Sequence, residues 1–151
     1  MLRTRLTDAL KQAMRARDQR ATSTLRLILA ALKDREICAR GKGNADGIGE
    51  EEILAMLQTM IKQRKEAILL YEQGGRLELA QQEQDEIKII EGFLPRQLNE
   101  DETRGAVETA IKELGCCGVK DMGRTMAWLK QHYPGQMDFA RASGLVRQQL
   151  S

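Results

Sequence analysis

Phe93-Leu94-Pro95-Arg96-Gln97-Leu98 divides this 151-residue chain into two helical parts. Pro95 has no backbone N–H, and its ring pushes Leu94 out of helical dihedrals, so a helix arriving from Arg76 must stop near Phe93. Just beyond, Asn99-Glu100-Asp101-Glu102 reads as an N-cap followed by a capping-box carboxylate at its third helical position. A helix end and a helix start this close together mark a domain junction. Residues 1–94 are expected to form an N-terminal helical domain, and residues 95–151 a C-terminal three-helix bundle.

Upstream, Leu2, Leu6, Ala9, Leu10 and Ala13 fall at helical spacing and predict a first helix through Arg17. Asp18 to Ala21 reads as a turn. A second helix follows from Thr22 with Leu25, Ile28, Leu29 and Leu32 inward, Arg26 and Lys33 on the opposite side, and Cys38 half-buried. Gly41 to Gly47 breaks the pattern and reads as a mobile loop; it lacks the spacing and the strand that a phosphate-binding P-loop requires.

Ile53, Leu57, Met60, Ile61, Ile68 and Tyr71 place a long third helix from Glu50 to Gln73, with Glu50, Glu51 and Glu52 favourably at its positive end. Gly74-Gly75 ends it. A fourth helix, Arg76 to Phe93, returns with Leu77, Ala80, Ile87, Ile90 and Leu94 inward. Together they form an antiparallel hairpin roughly 25–35 Å long. Past Pro95 a fifth helix runs from Glu100 to Leu114 on Val107, Ala110 and Ile111, and Gly115-Cys116-Cys117-Gly118 turns the chain. Asp121 is placed to N-cap a sixth helix carrying Met122, Met126, Leu129 and Tyr133. Pro134-Gly135 ends that helix, and Asp138 caps a seventh with Phe139, Ala142, Leu145, Val146 and Leu150.

Composition agrees. Aromatics make up only 3% of residues, Val occurs three times, and Leu, Ala, Glu, Gln, Lys and Arg dominate, so strand formers are missing and the class is all-α. The longest apolar run, Leu27 to Leu32, is too short to span a bilayer, and Met1 to Arg5 lacks a signal-peptide apolar region. Three cysteines without CxxC spacing give no disulfide framework, which points to a reduced, cytoplasmic protein. The net charge of +2 hides an uneven distribution: residues 1–43 carry eleven Lys/Arg against four Asp/Glu, whereas residues 44–113 carry eight against sixteen. Basic ends flanking an acidic middle can pair with it, or can meet an anionic partner.

Catalytic chemistry is hard to assemble from this inventory. His132 is the only histidine, which closes off multi-histidine metal sites and most histidine-based proton transfer. It is expected as a capping or surface residue near the end of the sixth helix. Cys116-Cys117 has no complementary cysteine pair and is expected to pack within its turn. Neighbouring carboxylates such as Asp85-Glu86 diverge by about 100° on a helix. No catalytic, metal-binding or cofactor-binding residues are assigned, and no cofactor is expected.

Four stretches resemble the GatB/YqeY family in order and spacing: Thr24-Leu25-Arg26-Leu27-Ile28-Leu29-Ala30-Ala31-Leu32-Lys33, Tyr71-Glu72-Gln73-Gly74-Gly75-Arg76, Phe93 to Leu98, and Lys120-Asp121-Met122-Gly123. The resemblance covers nearly the whole chain and is to a stand-alone YqeY-like protein. It implies a four-helix N-terminal part before a three-helix bundle, and kinship with the tail of the GatB subunit of an aminoacyl-tRNA amidotransferase. In that enzyme the tail grips tRNA and the chemistry occurs in a separate domain. The family label of carbon–nitrogen ligase with glutamine as amido donor follows from the complete enzyme.

The resulting expectation is a non-catalytic module for tRNA or another structured RNA. Lys120 and Arg124, four residues apart, are candidates for one phosphate strand, Trp128 for stacking on an unpaired base, and Lys130, Arg141 and Arg147 for the basic surround. The alternative basic face comprises Arg3, Lys11, Arg15, Arg17, Arg20, Arg26 and Lys33. A second expectation is an adaptor docking on an amidotransferase or synthetase through acidic residues Glu78, Glu83, Asp85 and Glu86. No membrane association is expected.

Overall fold

A computed structural model describes residues 2–43 and 47–151. The all-α class holds: the described residues form seven α-helices and one short 3-10 turn, with no strand. They group into two compact units, residues 1–94 and 95–151. The first contains α1 (Leu2–Arg15), α2 (Gln19–Gly41), α3 (Glu50–Gln73) and α4 (Leu77–Glu91). The second contains α5 (Glu100–Leu114), a 3-10 turn (Val119–Asp121), α6 (Met122–His132) and α7 (Phe139–Leu150).

Within the first unit, α3 and α4 pack along each other, α1 packs on α2, and α2 rests against α4. The core joins Leu2 and Leu6 of α1, Leu25, Ile28 and Leu32 of α2, Ile53, Met56 and Leu57 of α3, and Ile87 and Ile90 of α4. These positions repeat at three and four residues, so each helix offers one apolar stripe. Ile48, outside any helix, also enters this core.

Three helices end in the same hydrogen-bonded motif. After α3, Gly75 N–H donates to Glu72 O and Arg76 N–H to Tyr71 O; after α5, Gly115 and Cys116 do the same toward Lys112 and Ile111. After α1, Arg17 N–H donates to Met14 O and Asp18 N–H to Ala13 O. This Schellman arrangement places its penultimate residue in the left-handed region, where glycine is normally used. Gly75 (φ 73°) and Gly115 (φ 63°) obey, whereas Arg17 (φ 57°) takes the position with a full side chain.

That motif corrects the first helix boundary, since α1 stops at Arg15 rather than running through Arg17. Asp18 to Ala21 is not a turn either. Asp18 is the N-cap of α2 and accepts from Ala21 N–H at 3.1 Å, so the helix starts at Gln19 rather than Thr22. Cys38 is exposed rather than half-buried. Leu77 does not point inward: it opens α4 beyond the last core layer and is 67% exposed. The loop read across Gly41 to Gly47 has its centre, residues 44–46, outside the described residues.

The second unit buries Ala106, Val107 and Ala110 of α5, Leu129 of α6, Ala142 and Val146 of α7, and Met137 from the connecting turn. Its entry is fixed by the capping box at Asn99, whose side chain accepts from Glu102 N–H at 2.8 Å while the Glu102 carboxylate accepts from Asn99 N–H at 3.1 Å. Buried Thr103 and Thr125 satisfy their hydroxyls by donating to the carbonyls four residues back, Asn99 O and Asp121 O.

Candidate nucleic-acid interface

Charge on the surface is decided by pairing. On the acidic hairpin, Arg64 of α3 lies 2.9 Å from Glu86 and 3.9 Å from Glu83, and Arg20 of α2 reaches Asp85 at 2.5 Å. Arg76 holds Glu78 at 2.9 Å. The carboxylates proposed as a docking face are therefore largely engaged within the unit. Burial, with Glu86 next to it, pushes the Glu83 carboxyl above its ordinary range.

In the second unit the sequence-derived row does not form one helical stripe. Lys120 sits in the 3-10 turn before α6 and is exposed; Arg124 and Trp128 lie one turn apart on α6. Asp121 does not cap α6 through its side chain. Its carboxylate faces back, accepting from Cys117 N–H at 2.9 Å and pairing with Arg124 at 3.2 Å. The Cys117 N–H foremost, with help from the Arg124 guanidinium, holds the Asp121 carboxyl below its usual value.

Trp128 is half-buried with one face covered. The His132 ring stacks on it at 3.9 Å between centroids and 17° between planes, and His132 Nδ1–H donates to Trp128 O at 2.9 Å. A base stacking on the covered face of Trp128 has to displace His132; the Tyr133 ring lies 6.2 Å away between centroids in a tilted arrangement. Lys130 stands 5.9 Å from the Phe139 ring, and Arg141 pairs with Glu100 at 3.1 Å. Lys120, Lys130 and Arg147 make no ion pair with a described carboxylate. Cys116 packs in its turn, with its thiol against Thr125 Oγ1 at 3.2 Å.

The α1–α2 face differs. Arg3 is taken by Glu36, Arg5 donates to Gly92 O at 3.2 Å, and Arg20 is taken by Asp85. Lys11, Arg15, Arg17, Arg26 and Lys33 are all exposed and none pairs with a described carboxylate. Lys11 and Arg15 lie one turn apart on α1; Arg26 and Lys33 lie two turns apart on α2. Arg17 and Arg26 converge on a shallow depression that Met14, Gln19, Thr22 and Ser23 also line. Gln19, Thr22 and Ser23 were not among the residues read as functional. The only signal in the sequence was a helix end written Arg15-Ala16-Arg17-Asp18 without glycine, which gives the chain a left-handed arginine.

Among the described residues no group of three or more His, Cys, Asp or Glu side chains converges as a metal site, and no helix is long and apolar enough to cross a membrane. The described residues define an all-helical, two-unit protein in which Arg17 and Arg26, neither with a described carboxylate partner, share one depression.

The chain belongs to the YqeY-like family, whose sequence profile matches residues 3–150. It is similar to the mitochondrial protein called altered inheritance of mitochondria protein 41 in several yeasts. With that of Lachancea thermotolerans it is 34% identical over 85 residues, covering 56% of this chain and 43% of the relative. The Vanderwaltozyma polyspora protein is 34% identical over the same span, covering 44% of its length, and the Eremothecium gossypii protein is 35% identical with equal coverage. The match thus spans less than half the length of these relatives.

Proposed function

We propose that this chain is a non-catalytic RNA-binding module that takes a structured RNA, tRNA foremost, on the cationic face of α1 and α2. The observation that carries the reading is that Lys11, Arg15, Arg17, Arg26 and Lys33 stand exposed without a described carboxylate partner, five cations against the three (Lys120, Lys130 and Arg147) among the second unit's candidates, where Arg124 and Arg141, like Arg96 and Arg104, are paired with Asp121, Glu100, Glu102 and Asp101 respectively. An unpaired guanidinium can exchange its counterion for a phosphate, and the released ion drives binding. A paired one must first give up its carboxylate. The resemblance to the GatB tail, which grips tRNA while chemistry proceeds elsewhere, points the same way.

Filter binding with total tRNA, a duplex RNA control and a salt series tests this. Binding to tRNA should exceed that to duplex, and log K should fall with log salt by about 0.7–0.9 per phosphate contacted. Arg26→Glu with Lys33→Glu should abolish most of the affinity and flatten the slope. Absence of binding at low salt would overturn the reading. Loss of binding on Lys120→Glu with Arg124→Glu, but not on the α2 pair, would move the site to α6. The family's carbon–nitrogen ligase label is the alternative, and conversion of Glu-tRNA to Gln-tRNA with glutamine and ATP by the purified chain would establish it.

A further inference from the structure

Met14 is an apolar side chain among cations. It lies in the last turn of α1, is 51% exposed, and lines the same depression as Arg17 and Arg26. The depression measures about 460 Å³, far more than one phosphate fills and within the range of small-ligand sites. Gln19, Ser23 and Arg26 reach it from one face of α2, four and three residues apart, and Arg17 reaches it from the joint between the two helices.

No described residue lining this depression is acidic. Two other depressions of the unit mix the signs, one including Asp34 and Glu52, the other Asp18 and Asp85, beside their cations. Asp18, next to Arg17 in sequence, turns its carboxylate to the Ala21 N–H that it caps. The Arg17 and Arg26 guanidinium groups, the Gln19 amide and the Ser23 hydroxyl make no hydrogen bond or ion pair to a described residue. Arg17 is also held in the left-handed conformation that glycine takes without strain, so a guanidinium stands at the joint against the backbone's preference.

Guanidinium forks suit a phosphate, and a thioether beside them suits the face of a base. Base-paired RNA shows its phosphates and 2′-hydroxyls but keeps its base faces stacked, which leaves Met14 without a partner. An unpaired nucleotide offers both groups. We propose that the α1–α2 joint seats one unpaired nucleotide, with its phosphate on Arg17 and Arg26 and its base on Met14. That the nucleotide belongs to an RNA rests on the RNA-binding reading. The pocket itself rests on its lining, and a free nucleoside monophosphate presents the same groups.

NMR titration of the isotope-labelled full chain with AMP, inorganic phosphate and adenosine at constant ionic strength is the test. With AMP the Met14 methyl and the Arg17 and Arg26 Nε–H signals should move along one saturating curve, while exposed Arg147 in the second unit stays still. AMP should bind about two- to tenfold more tightly than inorganic phosphate, the margin a sulfur–aromatic contact supplies. Met14→Ala should erase that margin, and Arg17→Gly with Arg26→Gln should abolish the curve. Both variants change exposed side chains outside the core, so they keep the fold. AMP binding no tighter than phosphate, or shifts spread without saturation over every exposed arginine, would overturn the proposal. Binding of tRNA by a chain whose joint AMP leaves unmoved would overturn the pocket and leave the RNA reading standing. AMP seated at the joint of a chain that takes no tRNA would do the reverse, making the free nucleotide the ligand.

Discussion

Arg17→Gly should stabilise the N-terminal unit, although it removes a side chain and a charge. Arg17 is the left-handed residue of the motif that closes α1, held there by the Arg17 N–H to Met14 O bond at 3.2 Å and the Asp18 N–H to Ala13 O bond at 3.0 Å. A Cβ in that conformation crowds the following carbonyl at a cost of roughly 1–2 kcal/mol. Glycine removes the clash but returns about 0.5–1 kcal/mol through the greater freedom of the unfolded chain. The net gain is about 0.5–1 kcal/mol, or about 2–8 °C in Tm for a unit of this size. Urea unfolding followed by far-UV circular dichroism measures it. Arg17→Ala is the control: it removes the same charge and keeps the Cβ, so it should not stabilise. Gly75→Ala and Gly115→Ala are the mirror image. Open space surrounds the position of an added Cβ at both glycines, so the expected loss of about 1 kcal/mol is purely backbone strain. Arg17→Gly proving neutral or destabilising, at an unchanged denaturant slope, would refute the assignment of strain to this residue. Lower tRNA affinity despite the higher stability would show that the arginine is kept for binding.

Glu83→Gln should raise stability at neutral pH. Its carboxyl is raised by burial and Glu86, so ionisation is a penalty that is fully present above the folded pKa and disappears below the unfolded value of about 4.3; the variant's advantage should vanish in acid, and persistence below pH 4 would contradict it. Glu102 and Asp121 are shifted the other way, by the Arg96 guanidinium and by the Cys117 N–H respectively, so their stabilisation is present above pH 4 and lost as pH falls through their lowered pKa values. An acid titration of the second unit should therefore show lost helicity or stability beginning below about pH 4, and Glu102→Gln with Asp121→Asn should shrink that dependence. Asn99→Ala removes the side-chain half of the capping box, the acceptor for Glu102 N–H, and should cost about 1 kcal/mol, with helicity lost from α5; a change within a few tenths would argue against the cap as the anchor of this helix. Leu57→Ala in the first core should cost about 2–5 kcal/mol, whereas Leu77→Ala at the exposed tip should stay within about 0.5 kcal/mol.

The α3 and α5 boundaries, the Gly74-Gly75 and Gly115 stops, and the Asn99 capping box were legible because each rests on residues within one helical turn. The α1–α2 junction was misread for the same reason in reverse. Asp18 looks like a turn residue, and the left-handed residue is an arginine, so the local chemistry that normally announces a helix end was missing. Leu77 satisfied the α4 period but lies beyond the last layer that α3 supplies, and a period says nothing about where a neighbour stops.

For the candidate interface, the sequence by itself determined that residues 1–43 carry an excess of cations and that the class is all-α. Which cations remain available was decided by the tertiary structure. Arg20 is consumed by Asp85, 65 positions away, and Arg141 by Glu100, 41 positions away, while Arg26 and Lys33 meet no carboxylate among the described residues. Helix period and capping act over a few residues and can be read along the chain. Ion pairing acts over a few ångströms, and only the fold determines which residues come that close.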